Sequence, residues 1–254
     1  MKNKQNFSLL VFSIILMISS HFALADERKP VGITPDLMSV TIKVDGKEIE
    51  VKRNQDNDNL INPAFAKTSR ACPPFCIQPM HLIKGVETIG EVEVVNYIKK
   101  ISEGDASIAL VDSRTPEWLV RGTIPGAINI PWTKLVPAKG ATTEGIIKIL
   151  SNNFAVKLAK DMDADDVDEA IVEGKAGSTL DYSKAKTLVI FCNGMWCGQS
   201  PASIKTLVKF GYPVEKIKYF RGGMQTWELL GFSTLKKKEA KSTTPQLKTE
   251  GLES

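Results

Sequence analysis

The chain has 254 residues, with 33 Lys and Arg against 29 Asp and Glu and a net charge of +4. That balance excludes a strong single-sign field, so neither nucleic acid nor an anionic membrane surface is the expected partner. The length fits one domain with an ordinary core plus an appendage.

Residues 1–25 have the pattern of a secretory signal peptide. Lys2 and Lys4 begin it, Leu9 to Ile18 is almost entirely apolar, and Ala23-Leu24-Ala25 gives small-x-small spacing before Asp26. The apolar run is short for a membrane span. The expectation is an exported chain, periplasmic if the source is Gram-negative, with no stable membrane insertion once the signal is cleaved. Cleavage would remove two lysines and no acid, leaving a net charge of +2. Four cysteines in an oxidising compartment point to disulfides or redox thiols. They fall in two close pairs, Cys72 with Cys76 and Cys192 with Cys197. Short rings remove little entropy from the unfolded chain, so close pairs argue for chemistry more than for stapling.

An extension over 26–86 follows. "VTIKVDGKEIEVK", Val40 to Lys52, alternates apolar and polar residues around Asp45-Gly46 and predicts a hairpin with a type I′ turn. "INPAFAKTSRACPPFCIQPM" has four prolines in 20 residues and no period. It is an irregular segment that two adjacent prolines keep out of a helix. A Cys72–Cys76 disulfide is one expectation for it, redox partnership with Cys192 another. No metal site is expected, since His81 is the only histidine beyond the signal.

From Thr88 the pattern becomes alternating short strands and helices. Val92, Val95, Ile98 and Ile101 predict a helix over 90–102. "ASIALVDSR" predicts a strand, Thr115-Pro116 a short helix start, and "AINIPW" a brief strand. Residues 143–178 read as helical, with the acidic run "DMDADDVDEA" as a solvated face. "KTLVIFC" predicts a buried strand, and "SPASIKTLVKFGY" a helix capped by Ser200, with Pro201 at its first position and Gly211 as its stop. "KIKYFRGG" gives a last strand and "MQTWELLG" a last helix. The order implies a parallel α/β sheet with helices on both faces over 87–234, followed by a polar, disordered tail over 235–254.

Cys192 ends the apolar strand and faces the loop at its C-terminal edge, where such folds bind ligands. Gly194 and Gly198 let the loop backbone curl, and the following helix start points its N–H groups inward. Such surroundings favour a thiolate and lower its pKa. They also favour an anionic adduct on the sulfur.

"LVDSRTPEWLVRGTIPGAINIPW", "TLVIFCNGMWCGQSPASIKTLVKFGY" and "IKYFRGGMQTWELLGF" resemble, in order, the three signature blocks of a rhodanese-like domain, from near Thr88 to Phe232. The resemblance implies a sulfurtransferase in which Cys192 carries sulfane sulfur as a persulfide, without cofactor or metal. The partner it implies is a small sulfur-containing anion or a protein thiol. Asn193, Gly194, Met195, Trp196, Gly198, Gln199 and Ser200 would form the substrate loop, with Glu117 at its rim and Arg114 either at the rim or in a structural ion pair with Asp112 or a neighbour. The loop departs from the family: Asn193 to Gln199 is longer than usual and uncharged, where the family often carries an arginine. Thr123 stands where a histidine is common and reads as a packing change. Cys197 can act as a resolving thiol. Two other functions fit these residues: thiol–disulfide exchange through Cys192 and Cys197, and a non-catalytic module that binds a partner through its enlarged loop.

Overall fold

In the computed structural model, residues 29–236 are described; residues 1–28, which include the expected signal, and 237–254, most of the expected tail, lie outside them. Antiparallel strands β1 (Ser39–Val44) and β2 (Lys47–Lys52) form the expected hairpin. Asp45 and Gly46 close it at φ 49° and 77°, both in the left-handed region a type I′ turn requires. A 3₁₀ turn over Pro63–Phe65 follows, and the chain then runs irregularly to β3 (Glu87–Ile89). Helix α1 (Glu91–Ser102) begins after Gly90, whose N–H donates to the Glu93 carboxylate at 2.9 Å. Its inner face is Val94, Val95 and Ile98, whereas Val92, expected on that face, is exposed.

The chain continues through β4 (Ile108–Asp112) and a 3₁₀ turn over Pro116–Arg121. The short β5 (Ile128–Asn129) and α2 (Thr143–Phe154) come next. Strands β6 (Lys157–Leu158) and β7 (Leu180–Asp181) make a small antiparallel pair around α3 (Ala164–Val172). The acidic run enters α3, and Asp163 caps it by accepting from the N–H groups of Asp165 and Asp166. Acidic side chains are stabilised at that end of a helix by its dipole.

Strand β8 (Thr187–Phe191), helix α4 (Gln199–Lys209), strand β9 (Ile217–Phe220) and helix α5 (Gly223–Leu229) complete the domain. The five parallel strands lie in the order β3-β9-β8-β4-β5. One face of the sheet buries Ile146, Leu150 and Ile204 of α2 and α4. The other buries Val94, Val95 and Ile98 of α1 with Met224 and Trp227 of α5. Layers on both faces explain why β4 and β8 read as continuous apolar runs.

The extension is not an independent appendage. Val40, Ile42 and Val51 of the hairpin and Phe65 share one core with α1 and α5. Gly126, at φ 85°, receives the Ile42 side chain, and a Cβ there would collide with Ile42 Cδ1. The Ile-Pro-Gly-Ala turn is therefore also the seat of the hairpin. At the other end, Leu235 pairs with Thr123 through two backbone hydrogen bonds of 2.8 and 2.9 Å. The ordered chain thus reaches into the stretch that composition placed in the tail. Among the described residues, no helix is long and apolar enough to cross a membrane.

Candidate active site

Cys192 follows β8 at the C-terminal edge of the sheet. It is 1% exposed and Cys197 is 3% exposed; both are free thiols and pack against Trp196. As a thiol, Cys192 donates to the Cys197 carbonyl at 3.5 Å. Burial alone pushes its pKa up. Hydrogen bonds from the Cys197 thiol, the Ser200 hydroxyl and the backbone N–H groups of Ser200 and Gly194 outweigh burial and bring it down to about 7. Cys197 moves the other way: burial and its hydrogen bond to Cys192 push its pKa up. Cys192 is therefore the thiol that ionises, and Cys197 stays protonated as one of its donors.

The loop is anchored from below. The N–H of Met224 donates to the Cys192 carbonyl and that of Gln225 to the Asn193 carbonyl, each at 2.9 Å. Gly223, at φ 55°, permits this approach; a Cβ there would collide with the Cys192 carbonyl and come within 2.8 Å of the Gly194 nitrogen. The Gly-Gly turn of the third sequence block is thus the seat of the cysteine loop.

Ser200 is not the helix cap. Helix α4 opens two residues earlier than expected, at Gln199, with Gly198 in the cap position and no side-chain cap bond. The fully buried Ser200 hydroxyl lies 2.6 Å from that of Ser113, which itself lies 2.7 Å from the Phe191 carbonyl. Starting the helix earlier aims the Ser200 N–H at Cys192. It also leaves Pro201 in the first turn, where no N–H is needed.

Arg114 does not line the loop. It is 0% exposed, and its guanidinium meets the Asp112 carboxylate at 2.6–3.1 Å and the Gly122 carbonyl at 2.7 Å. Thr123 donates its hydroxyl to the same carboxylate at 2.7 Å, so it is part of a buried polar network and not merely a packing change. Glu117 is exposed on the 3₁₀ turn.

The extension covers the loop. Cys72 and Cys76 form a disulfide, and Phe75 between them meets the Trp196 ring edge-on with centroids 5.6 Å apart. The Arg70 guanidinium lies 3.7 Å from the Trp196 ring centre. The indole N–H donates to Gln225 Oε1 at 2.7 Å. Gln78 donates from its N–H to the Met195 carbonyl at 2.7 Å and accepts at its own carbonyl from Arg221 Nε at 2.8 Å. Asn193, Gly194, Met195, Trp196, Gln199 and Ser200 thus gather with both cysteines, while Gly198 stands exposed at the helix entry. Sequence reasoning missed Ser113, Arg70 and Tyr219. The Tyr219 hydroxyl is buried without a hydrogen-bond partner; burial pushes its pKa up, and charge on nearby Cys192 adds to the rise. Apolar alternation in "KIKYF" signals a buried face for Tyr219; nothing in the sequence signals Arg70.

A five-stranded parallel sheet with a cradled cysteine after its central strand defines a doubly covered α/β protein with a buried thiol at a strand end. A family model described as a rhodanese-like domain matches residues 94–230. The chain belongs to the rhodanese-like domain family. Among solved structures, it is similar to a Rhodopseudomonas palustris protein described as a possible tyrosine phosphatase (17% identity, 61% of this chain and 89% of that one, TM-score 0.36). It is also similar to a rhodanese-related protein of Thermoplasma volcanium (20%, 59% and 98%, TM-score 0.34). A third is a human single-domain sulfurtransferase (19%, 55% and 93%, TM-score 0.31). Among curated proteins, none matches the chain.

Proposed function

We propose that this chain is an exported sulfurtransferase that carries sulfane sulfur as a persulfide on Cys192. The observation that carries the reading is the cradle at this sulfur: four donors converge on a buried thiol and bring its pKa to about 7. A thiolate at neutral pH is the nucleophile that sulfur transfer requires. In the first half-reaction it attacks the sulfane sulfur of a donor such as thiosulfate. The donor's S–S bond breaks, sulfite leaves with the electron pair, and Cys192 holds the persulfide. In the second, an acceptor thiolate attacks the outer sulfur and the Cys192 thiolate is restored. The signal-like residues 1–25 and the Cys72–Cys76 disulfide support an oxidising compartment, the periplasm if the source is Gram-negative.

A second reading is favoured by one observation, the Cys197 thiol in hydrogen-bond contact with Cys192. There the pair exchanges with a partner: the Cys192–Cys197 disulfide is reduced to the dithiol as a partner dithiol becomes a disulfide, and a partner disulfide reverses the step. Intact-mass analysis before and after thiosulfate, with mapping of Cys192, separates the two. The expected result is one added sulfur on Cys192, removed by cyanide. A Cys192–Cys197 disulfide that forms and breaks in thiol buffers, with no sulfur ever added, would overturn the sulfurtransferase reading.

A further inference from the structure

The extension and the cysteine loop enclose a cavity of about 650 Å³, with Met195 and Trp196 on the loop side. Trp196 separates it from the sulfurs of Cys192 and Cys197, which it packs against. Phe65, Phe75, Ile77 and Leu229 make the other walls apolar. Ile77 and Leu229 remain largely exposed at the rim. Among the described residues, Arg70 is the one charged group lining this space.

Arg70 is an unusual cation. Its Nε is buried without a hydrogen-bond partner. Its guanidinium lies on the Trp196 face at 3.7 Å, and none of the ion pairs of the described residues includes it. A second cation, Arg121, is near enough to repel it. A guanidinium without an ion pair at an otherwise uncharged, largely apolar wall leaves a place for an anion.

We propose that this cavity is the donor-binding vestibule of the reaction and that Arg70 is its specificity-determining residue. The donors it selects join an anionic sulfur–oxygen group to an apolar body. The inference rests on the sulfurtransferase reading. The volume is that of an organic ligand site, far more than a bare inorganic anion fills. In an organic thiosulfonate, R–SO₂–S⁻, the Cys192 thiolate attacks the terminal sulfur. The donor's S–S bond breaks, the sulfinate R–SO₂⁻ leaves with the electron pair, and Cys192 holds the persulfide anion. Charge and atoms balance with no added oxidant or reductant. Arg70 holds the sulfonyl oxygens, and Trp196 swings aside to let the terminal sulfur reach Cys192.

The test compares wild type with R70Q and R70K. Cys192 is alkylated with anionic iodoacetate and neutral iodoacetamide, and sulfur transfer is measured from benzenethiosulfonate and thiosulfate. R70Q is expected to slow iodoacetate by about tenfold while iodoacetamide changes by less than about twofold, with R70K in between. KM for benzenethiosulfonate should rise by about tenfold in R70Q at nearly constant kcat. Equal slowing of both alkylating reagents, or an unchanged KM in R70Q, would overturn the inference and leave the sulfurtransferase reading standing. A wild-type protein that takes sulfur from neither donor would overturn the reading and the inference together. Equal use of both donors by wild type would overturn the assignment of the apolar walls to the donor and leave them to a protein partner.

Discussion

Alkylation of Cys192 by iodoacetamide should follow a titration with its midpoint near pH 7, and Ser200→Ala should move that midpoint upward. The drop from an ordinary 9.0 to about 7 corresponds to on the order of 3 kcal/mol in favour of the thiolate. It is a net figure, because burial works against it and four hydrogen-bond donors work for it. One hydrogen bond to a charged group contributes about 1.5–3 kcal/mol. Losing the Ser200 hydroxyl should therefore raise the midpoint by about one unit or more. The variant keeps its fold for a specific reason: Ser113 still donates to the Phe191 carbonyl, so no buried hydroxyl is orphaned. The rate is measured from about pH 5.5 to 9.5, with peptide mapping to assign the label to Cys192. A wild-type midpoint at or above about 8.5, or a Ser200→Ala midpoint equal to that of wild type, would refute the reasoning.

The same shift links stability to pH. The folded pKa of Cys192 lies below the unfolded one, so its contribution is present above about 9 and is lost as pH falls through about 7. Reduced protein should become more stable between those two values, and Ser200→Ala should gain less over the same range. Cys197, with its pKa raised in the fold, acts in the opposite sense and removes stability as pH rises past the ordinary thiol range. The reduced protein should therefore be most stable near the unfolded thiol pKa.

Three other substitutions test the architecture around the site. Arg114→Ala leaves the Asp112 carboxylate buried with the Thr123 hydroxyl and no cation; a loss of about 3–5 kcal/mol is expected from denaturant unfolding, and a loss under about 1 kcal/mol would show that the pair is not structural. Trp196→Ala removes the ring that covers both sulfurs and should speed iodoacetamide labelling of Cys192 severalfold, whereas an unchanged rate would mean the thiol is reached by another route. Gly223→Ala should cost at least about 1–2 kcal/mol at its left-handed φ and raise the Cys192 midpoint, because the amides donating to Cys192 and Asn193 carbonyls lose their seat; unchanged titration would separate the Gly-Gly turn from the chemistry.

The sheet was legible because its chemistry is local. "IALV" and "LVIF" are apolar on both faces and return as β4 and β8, buried throughout. Asp45-Gly46 specifies a turn that few other dipeptides accept, and the hairpin follows. Cys192 was legible from its place between a strand and a helix. What failed were inferences from residue type where a distant partner decides. Ser200 has the chemistry of a cap, yet its hydroxyl faces Ser113, 87 positions earlier. Arg114 is different: a rim position and an ion pair were both open to it, and its near neighbour Asp112 holds it in the interior as the ion pair. The segment 61–80 has no period at all. Its course is set by long-range contacts, Gln78 to Met195 and Gln225 to the Phe65 carbonyl at 3.1 Å, which no local pattern encodes.

That segment explains how an uncharged loop can still handle anions. Dipoles alone converge on Cys192 from within the loop, and oriented N–H and O–H groups stabilise one negative sulfur well without adding a full positive charge. Such a cradle suits a thiolate or a singly charged persulfide better than a small dianion, which needs a formal cation. On the proposed reading the cation comes from outside the signature blocks, as Arg70 on the extension. Lowering the nucleophile's pKa and recognising the donor's charge then fall to different parts of the chain. The two can be altered independently: Ser200→Ala should shift the pH profile without changing the preference for iodoacetate, and Arg70→Gln should change the preference more than the profile. A single variant that moved both equally would place the two functions in one group and contradict this division.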